Sequence, residues 1–128
     1  MISANIMGKA EALCVTSTTA EALSALRDAS VAPVVDNEGR LVGQIRARDL
    51  LKGLVQSDGP LNLSDCVVGL ESGKVGDIMD RDFAFIGPEA SASSVLTMME
   101  AKKALSVFVV DDGMRLLGRV SPMDILER

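Results

Sequence analysis

Two segments of this sequence carry residues that could do chemistry, and they are built alike: Gly118-Arg119-Val120-Ser121-Pro122-Met123-Asp124 and Gly43-Gln44-Ile45-Arg46-Ala47-Arg48-Asp49. An ionised aspartate offers only acceptors, and its oxygens can take both hydroxyls of a cis-diol in charge-assisted hydrogen bonds. Each aspartate falls in the first turn of an expected helix, whose N–H groups favour a phosphate or carboxylate. The Ser121 to Asp124 run is equally a good helix start that needs no ligand, with Ser at the N-cap, Pro at the first helical position and an acid at the third. In the other segment Arg46 replaces the hydroxyl and cannot cap in the same way. Arg46 and Arg48 are then cations for a phosphate, occupants of the diol site, or solvated surface side chains.

Catalysis finds little support. The chain has no His and no Tyr, so candidate general bases reduce to carboxylates and lysines. There is no Gly-x-Gly-x-x-Gly and no phosphate-binding Gly-x-x-x-x-Gly-Lys-Ser/Thr; Gly73-Lys74 is followed by Val75. Cys14 and Cys66 lack metal-ligand spacing and are read as buried or incidental thiols, with a sensing role for Cys14 as a minor option. Neither an enzyme nor a bound metal or cofactor is expected.

The bulk composition narrows the partners. A chain of 128 residues is one compact unit with a real core, and 48% hydrophobic with 24% charged residues describes a globular protein. The formal charge of −5 argues against nucleic acid and anionic membranes, whose binding rests on clustered Lys and Arg. The three aromatics, Phe83, Phe85 and Phe108, are too few for base-stacking platforms. Apolar runs such as Val107-Phe108-Val109-Val110 are far shorter than a membrane span. With no charged-then-apolar leader, the expected location is cytoplasmic.

The elements that must position the two aspartates are written twice. Val34-Val35-Asp36 recurs as Val109-Val110-Asp111, Arg40-Leu41-Val42-Gly43 as Arg115-Leu116-Leu117-Gly118, and Asp49-Leu50-Leu51 as Asp124-Ile125-Leu126, each 75 positions on. Upstream, Ile6-Met7 pairs with Ile78-Met79 at 72 positions. Each copy predicts a short strand (13–16; 84–86), a helix (19–29; 91–104), an apolar strand (32–36; 106–111), a turn (37–39; 112–114), a second strand (40–46; 115–120) and a helix opening at Ala47 or Pro122. Thr18-x-x-Glu21 reads as a capping box. Met7, Met79, Met98 and Met99 read as core filler, and Lys102-Lys103 as a solvated helix end. Residues 1–54 and 75–128 are thus two repeats, and 55–74 a linker with a possible short helix from Leu61, Leu63, Val67, Val68 and Leu70. Neither repeat can cover both faces of so small a sheet, so an α/β (α+β) fold is expected, with two pseudo-twofold-related β-α-β-β-α repeats packed through their sheets.

This order of blocks resembles the cystathionine-β-synthase (CBS) domain, and a tandem pair resembles a Bateman module. The resemblance covers nearly the whole chain. Residues Gly118 to Asp124 match the family's Gly-x-hydrophobic-Ser/Thr-x-x-Asp signature, whereas the first copy departs from it at Arg46. The resemblance implies a regulatory module binding an adenosine-containing ligand (AMP, ADP, ATP or S-adenosylmethionine) between the repeats, the signature Asp accepting from ribose. Carried over by position, it places Ser121 and Asp124 opposite Val15, Thr16, Ala32 and Pro33, and Asp49, with Arg46 and Arg48 nearby, opposite Ile86, Val107 and Phe108. The second copy's signature offers no cation besides the nearby Arg119, so its cleft should suit a nucleoside or compact ligand better than a triphosphate. The resemblance also implies a homodimer and an effector protein or domain to regulate. A ligand-free dimerisation or docking module is the alternative.

Overall fold

The structure is a computed structural model describing residues 11–27, 29–54 and 73–126. The linker expected at 55–74 lies outside the described residues apart from Gly73 and Lys74, as do Met7 and Cys66. The order is β1 (Leu13–Cys14), α1 (Thr19–Ala25), β2 (Val31–Val35), β3 (Leu41–Arg46), α2 (Ala47–Leu54), α3 (Val75–Ile78), β4 (Phe85–Ile86), α4 (Ala92–Lys102), β5 (Val107–Val110), β6 (Leu116–Val120) and α5 (Pro122–Leu126). Two three-stranded sheets result, β1-β2-β3 and β4-β5-β6, each with a parallel first pair and an antiparallel second pair. This is the expected mixed α+β architecture.

Local chemistry sets the element ends. Strand β1 stops two residues earlier than expected because Ser17 folds back on it, its Oγ accepting from the Cys14 N–H at 2.9 Å and its own N–H donating to the Cys14 carbonyl. Cys14, expected to be buried or incidental, is exposed, so the first of those two readings does not hold. Thr18 and Glu21 form the expected reciprocal capping box on α1. That helix ends at Ala25 rather than Ala29, its last turn tightened by an Arg27 N–H to Ser24 carbonyl bond. Helix α4 is capped by Ser91 and ends where Lys103 takes a left-handed conformation.

The repeated Val-Val-Asp…Arg blocks are hairpins closed by their aspartates. Asp36 Oδ1 accepts from the N–H groups of Glu38 and Arg40, and Asp111 Oδ1 from those of Gly113 and Arg115. Arg40 also places Nε 2.9 Å from Asp36 Oδ2. Gly39 and its counterpart Met114 both adopt positive φ, of 79° and 66°.

Central strands β2 and β5 are buried along their whole length. One face of each meets its own repeat: Ala32 and Val34 pack with Ala22, Ile45 and Leu50, while Val107 and Val109 pack with Val95, Met99 and Val120. The other faces meet each other, Val31 and Leu41 joining Phe108 and Val110 in one cluster. The Leu41 N–H donates to the Met114 carbonyl at 2.8 Å and the Leu116 N–H to the Gly39 carbonyl at 3.2 Å, reciprocal bonds between corresponding positions of the two repeats.

Helix α3 breaks the correspondence between sequence repeat and packing unit. It opens the second copy, yet Val75 and Ile78 lie in the first repeat's core. Its flanks are stitched there by backbone bonds from the Thr19 N–H to Gly73, Val75 to Ser17 and Gly76 to Val15.

Phe108 is wholly buried between the sheets. Phe108→Ala should cost about 3–5 kcal/mol, read as a lower urea midpoint, while Leu117→Ala, half-exposed on β6, should stay within about 0.5 kcal/mol. Equal losses at the two positions would contradict the buried inter-sheet seam.

Candidate functional site

The first signature segment folds into a closed ionic cluster. Arg46 ends β3 and Asp49 lies in the first turn of α2 with its side chain 0% exposed. A carboxylate so buried must be paired and hydrogen-bonded. Its Oδ2 accepts from the Arg46 backbone N–H at 2.8 Å and lies 3.3 Å from Arg46 Nε, while Nη2 of the same guanidinium reaches Asp80 Oδ2 at 2.6 Å. Asp80 is itself held in place: its N–H and carbonyl both bond the backbone of Gln44, and its Oδ1 accepts from the Asp82 N–H. Gly43 permits this approach, because a Cβ there would meet Met79 Sδ at 2.6 Å and the Asp80 carbonyl oxygen at 3.1 Å.

Above this cluster lies a cleft of about 320 Å³ between the repeats. Arg46, Arg48 and Asp80 line it, with Phe83, Ala84, Lys102, Lys103 and Ser106 from the second repeat. Lys102 pairs with Asp82 at 2.8 Å and Lys103 with Glu100, whereas exposed Arg48 has no ionic or hydrogen-bonding partner among the described residues.

The second signature segment is arranged differently. Asp124 Oδ2 accepts from the Ser121 N–H at 2.8 Å and from Ser121 Oγ at 3.0 Å, the Asp124 N–H returning toward Ser121 Oγ at 3.4 Å. Serine thus serves as the helix cap and orients the carboxylate. Oδ1 of Asp124 accepts no hydrogen bond among the described residues, and the side chain is half-buried. Two residues before Ser121, Arg119 donates from Nη1 to the Val31 carbonyl of the other repeat at 3.1 Å and from Nη2 to Ser106 Oγ of its own repeat at 3.2 Å. Burial draws this guanidinium below its usual pKa, and the Asp124 charge opposes that shift. Arg119 faces a second cleft, of about 590 Å³, together with Glu11, Ser24, Ala25, Ala29, Val31 and Ala32.

The residues expected from sequence are therefore distributed unevenly. Ser121 meets Asp124, Ala32 lines the cleft beside Arg119, and Arg46 and Arg48 line the other cleft with Asp49 beneath. Val15 and Thr16 line neither of these clefts; they border a separate depression with Asp36, Lys74 and Arg81. Pro33 and Phe108 are wholly buried, Val107 belongs to the second repeat's core, and Ile86 packs beside it. What lines the clefts instead is the chain at or just before the strand starts, Ser30-Val31, Phe83-Ala84 and Ala104 to Ser106 in one and Ala29, Val31 and Ala32 in the other. The central strands β2 and β5 are covered on both faces, so only their starts border the clefts.

Asp80 and Asp82 carried no sequence signal, since they reach the site only through tertiary packing, and Lys103, like its neighbour, was read only as part of a solvated helix end. Lys102 was visible as a helix-end cation but not as a cleft residue. Arg119 stood next to the signature. Among the described residues no group of three or more His, Cys, Asp or Glu could hold a metal ion, and no helix is long and apolar enough to cross a membrane.

Two repeats of the same β-α-β-β-α plan, facing one another across paired clefts, define a duplicated two-repeat module. Residues 5–56 and 75–128 each match the CBS domain, and the chain belongs to that family, whose members are generally regulatory. An inosine-5'-monophosphate dehydrogenase of Methanocaldococcus jannaschii is 30% identical over 113 residues, which cover 87% of this chain but only 20% of that enzyme. Among solved structures, an acetoin utilization protein (AcuB) of Vibrio cholerae superposes with a TM-score of 0.78 at 21% identity, over 99% of this chain and 90% of that one. The cytosolic domain of the Mg2+ channel MgtE in complex with ATP gives 0.67 at 26% identity, over 92% and 44%.

The hydrogen bond and charge of Lys102 hold the exposed Asp82 carboxyl below its usual pKa. A depressed folded-state pKa means that the pair's contribution is present above the unfolded value and fades as pH falls through the folded one. Carboxyl-carbon NMR should show Asp82 titrating below an ordinary aspartate, and Lys102→Met should return it toward the ordinary value. An Asp82 titration unmoved by that change would contradict the pairing.

Proposed function

We propose that this chain is a ligand-sensing regulatory module that binds an adenosine-containing small molecule, AMP, ADP, ATP or S-adenosylmethionine, at Ser121 and Asp124, and reports occupancy to a partner protein or domain. The observation that carries this reading is the contrast between the two signature aspartates. Asp124 is oriented by Ser121 through one oxygen with the other unengaged among the described residues, as an acceptor for ribose hydroxyls requires, whereas Asp49 is fully buried beside Arg46. The ATP held by the similar MgtE domain supports the ligand class.

Arg119 supplies a route for signalling, since it lies between the two repeats and beside Asp124. A ligand that draws on Arg119 competes with its bonds to Val31 and Ser106 and biases the angle between repeats. The chain is not itself an enzyme in this reading: the sequence has no His or Tyr to act as a general base, and Arg46, Lys102 and Lys103 in the first cleft are held in ion pairs. The dehydrogenase relative is consistent with this, because the matched stretch is one fifth of that enzyme.

A second reading, a ligand-free docking or homodimerisation module, is favoured by the exposed Leu23, Leu51, Leu96 and Met123 on four of the helices. Thermal shift separates the two. AMP, ATP or S-adenosylmethionine at 100 times Kd should stabilise the chain by about 2.7 kcal/mol, and Asp124→Ala should abolish the rise while leaving the ligand-free fold intact. No rise with any of the three at millimolar concentration, alongside a dimer in sedimentation, would establish the docking module instead.

A further inference from the structure

The two clefts began as copies, yet one holds a cation where the other holds a hydroxyl. Arg46 occupies the position that corresponds to Ser121, 75 residues earlier. Its guanidinium lies between two carboxylates, Nε 3.3 Å from Asp49 Oδ2 and Nη2 2.6 Å from Asp80 Oδ2, with 27% of the side chain exposed. Neither carboxylate can yield easily. Asp49 is fully buried and tied to the Arg46 backbone, and Asp80 is pinned to β3 by two backbone bonds with Gln44 at 2.9 and 2.8 Å.

We infer that Arg46 is a resident occupant of the first cleft, taking on Asp49 the place a ribose would take and limiting the module to one adenosine site per chain. This rests on the reading that Asp124 marks a ribose-binding cleft, and it extends that reading to the number of sites. For a diol to reach Asp49, the guanidinium must leave two anionic partners together, and a neutral hydroxyl gives back less than a charge-assisted pair does. The basic residues facing that cleft do not compensate by themselves: Arg46 is committed to Asp49 and Asp80, Lys102 to Asp82 and Lys103 to Glu100, leaving Arg48. Sensing then belongs to the second repeat, and the first contributes a fixed ionic wall.

The test is binding stoichiometry by calorimetry, with AMP and S-adenosylmethionine as separate probes. Wild type should bind one equivalent of the probe that binds. Arg46→Ser, which restores the residue type found at 121, should bind one equivalent more than wild type, and Arg46→Ser/Asp49→Asn should lose that gain. Should Arg46→Ser fold poorly by circular dichroism, Asp80→Asn is the second variant, because it releases the outer end of the guanidinium and should likewise open the first cleft to the probe. An unchanged stoichiometry in the folded variants, or two equivalents already bound by wild type, would overturn the inference. A wild type that binds neither probe while Arg46→Ser binds one would overturn the Asp124 reading but uphold the role of Arg46.

Discussion

Everything in this molecule depends on the central strands β2 and β5 being apolar on both faces. Val31 to Val35 and Val107 to Val110 are buried without a break, and the helices of one repeat cover only one side of its own sheet. The other side, with Phe108 and Val110 against Val31 and Leu41, has to be covered by the other repeat. Hydrophobic burial is non-directional; the register is supplied by the reciprocal Leu41–Met114 and Leu116–Gly39 backbone bonds, which join equivalent positions. The clefts are a by-product of this packing. The residues at or just before the starts of β2, β4 and β5 line them.

Within that near-symmetric frame, single substitutions separate the two sites. Ser121 and Arg46 both precede their aspartates by three residues, and both donate a backbone N–H to the carboxylate at 2.8 Å. The helix start is therefore preserved in each copy. The side chain decides the rest: a hydroxyl orients Asp124 and leaves its surface accessible, whereas a guanidinium buries Asp49 and reaches on to Asp80. Divergence of this kind costs the fold little, because the part of the pattern that builds α2 and α5 is main-chain and the part that differs faces the cleft.

The hairpins, the repeat and the helix caps were legible because their causes are local. Asp36 and Asp111 close turns with residues two and four positions away, and Thr18 caps with Glu21 three positions on. Strand and helix lengths were less so: β1 was shortened by Ser17, and α1 ended at Ala25 before the chain enters β2. Of the site, the aspartates, Ser121 and the two arginines were legible as a pattern. The surroundings were not. Val15, Thr16, Val107 and Phe108 were assigned to clefts by position along the repeat, but Val107 and Phe108 are in the core and Val15 and Thr16 border a different depression. Asp80, the outer partner of Arg46, lies 34 positions from it.

From sequence alone came a duplicated α+β chain, its hairpins, and two unequal signature segments, since each of these is written in spacings of a few residues or in a constant offset. Only the tertiary structure showed that α3 belongs to the first repeat's core, that Arg119 spans the repeats, and that Arg46 is committed to two carboxylates. Those facts depend on which distant segments share a face, and Gly43 illustrates why. Its missing side chain is what admits Met79 and Asp80, an absence that names no partner until the chain has folded.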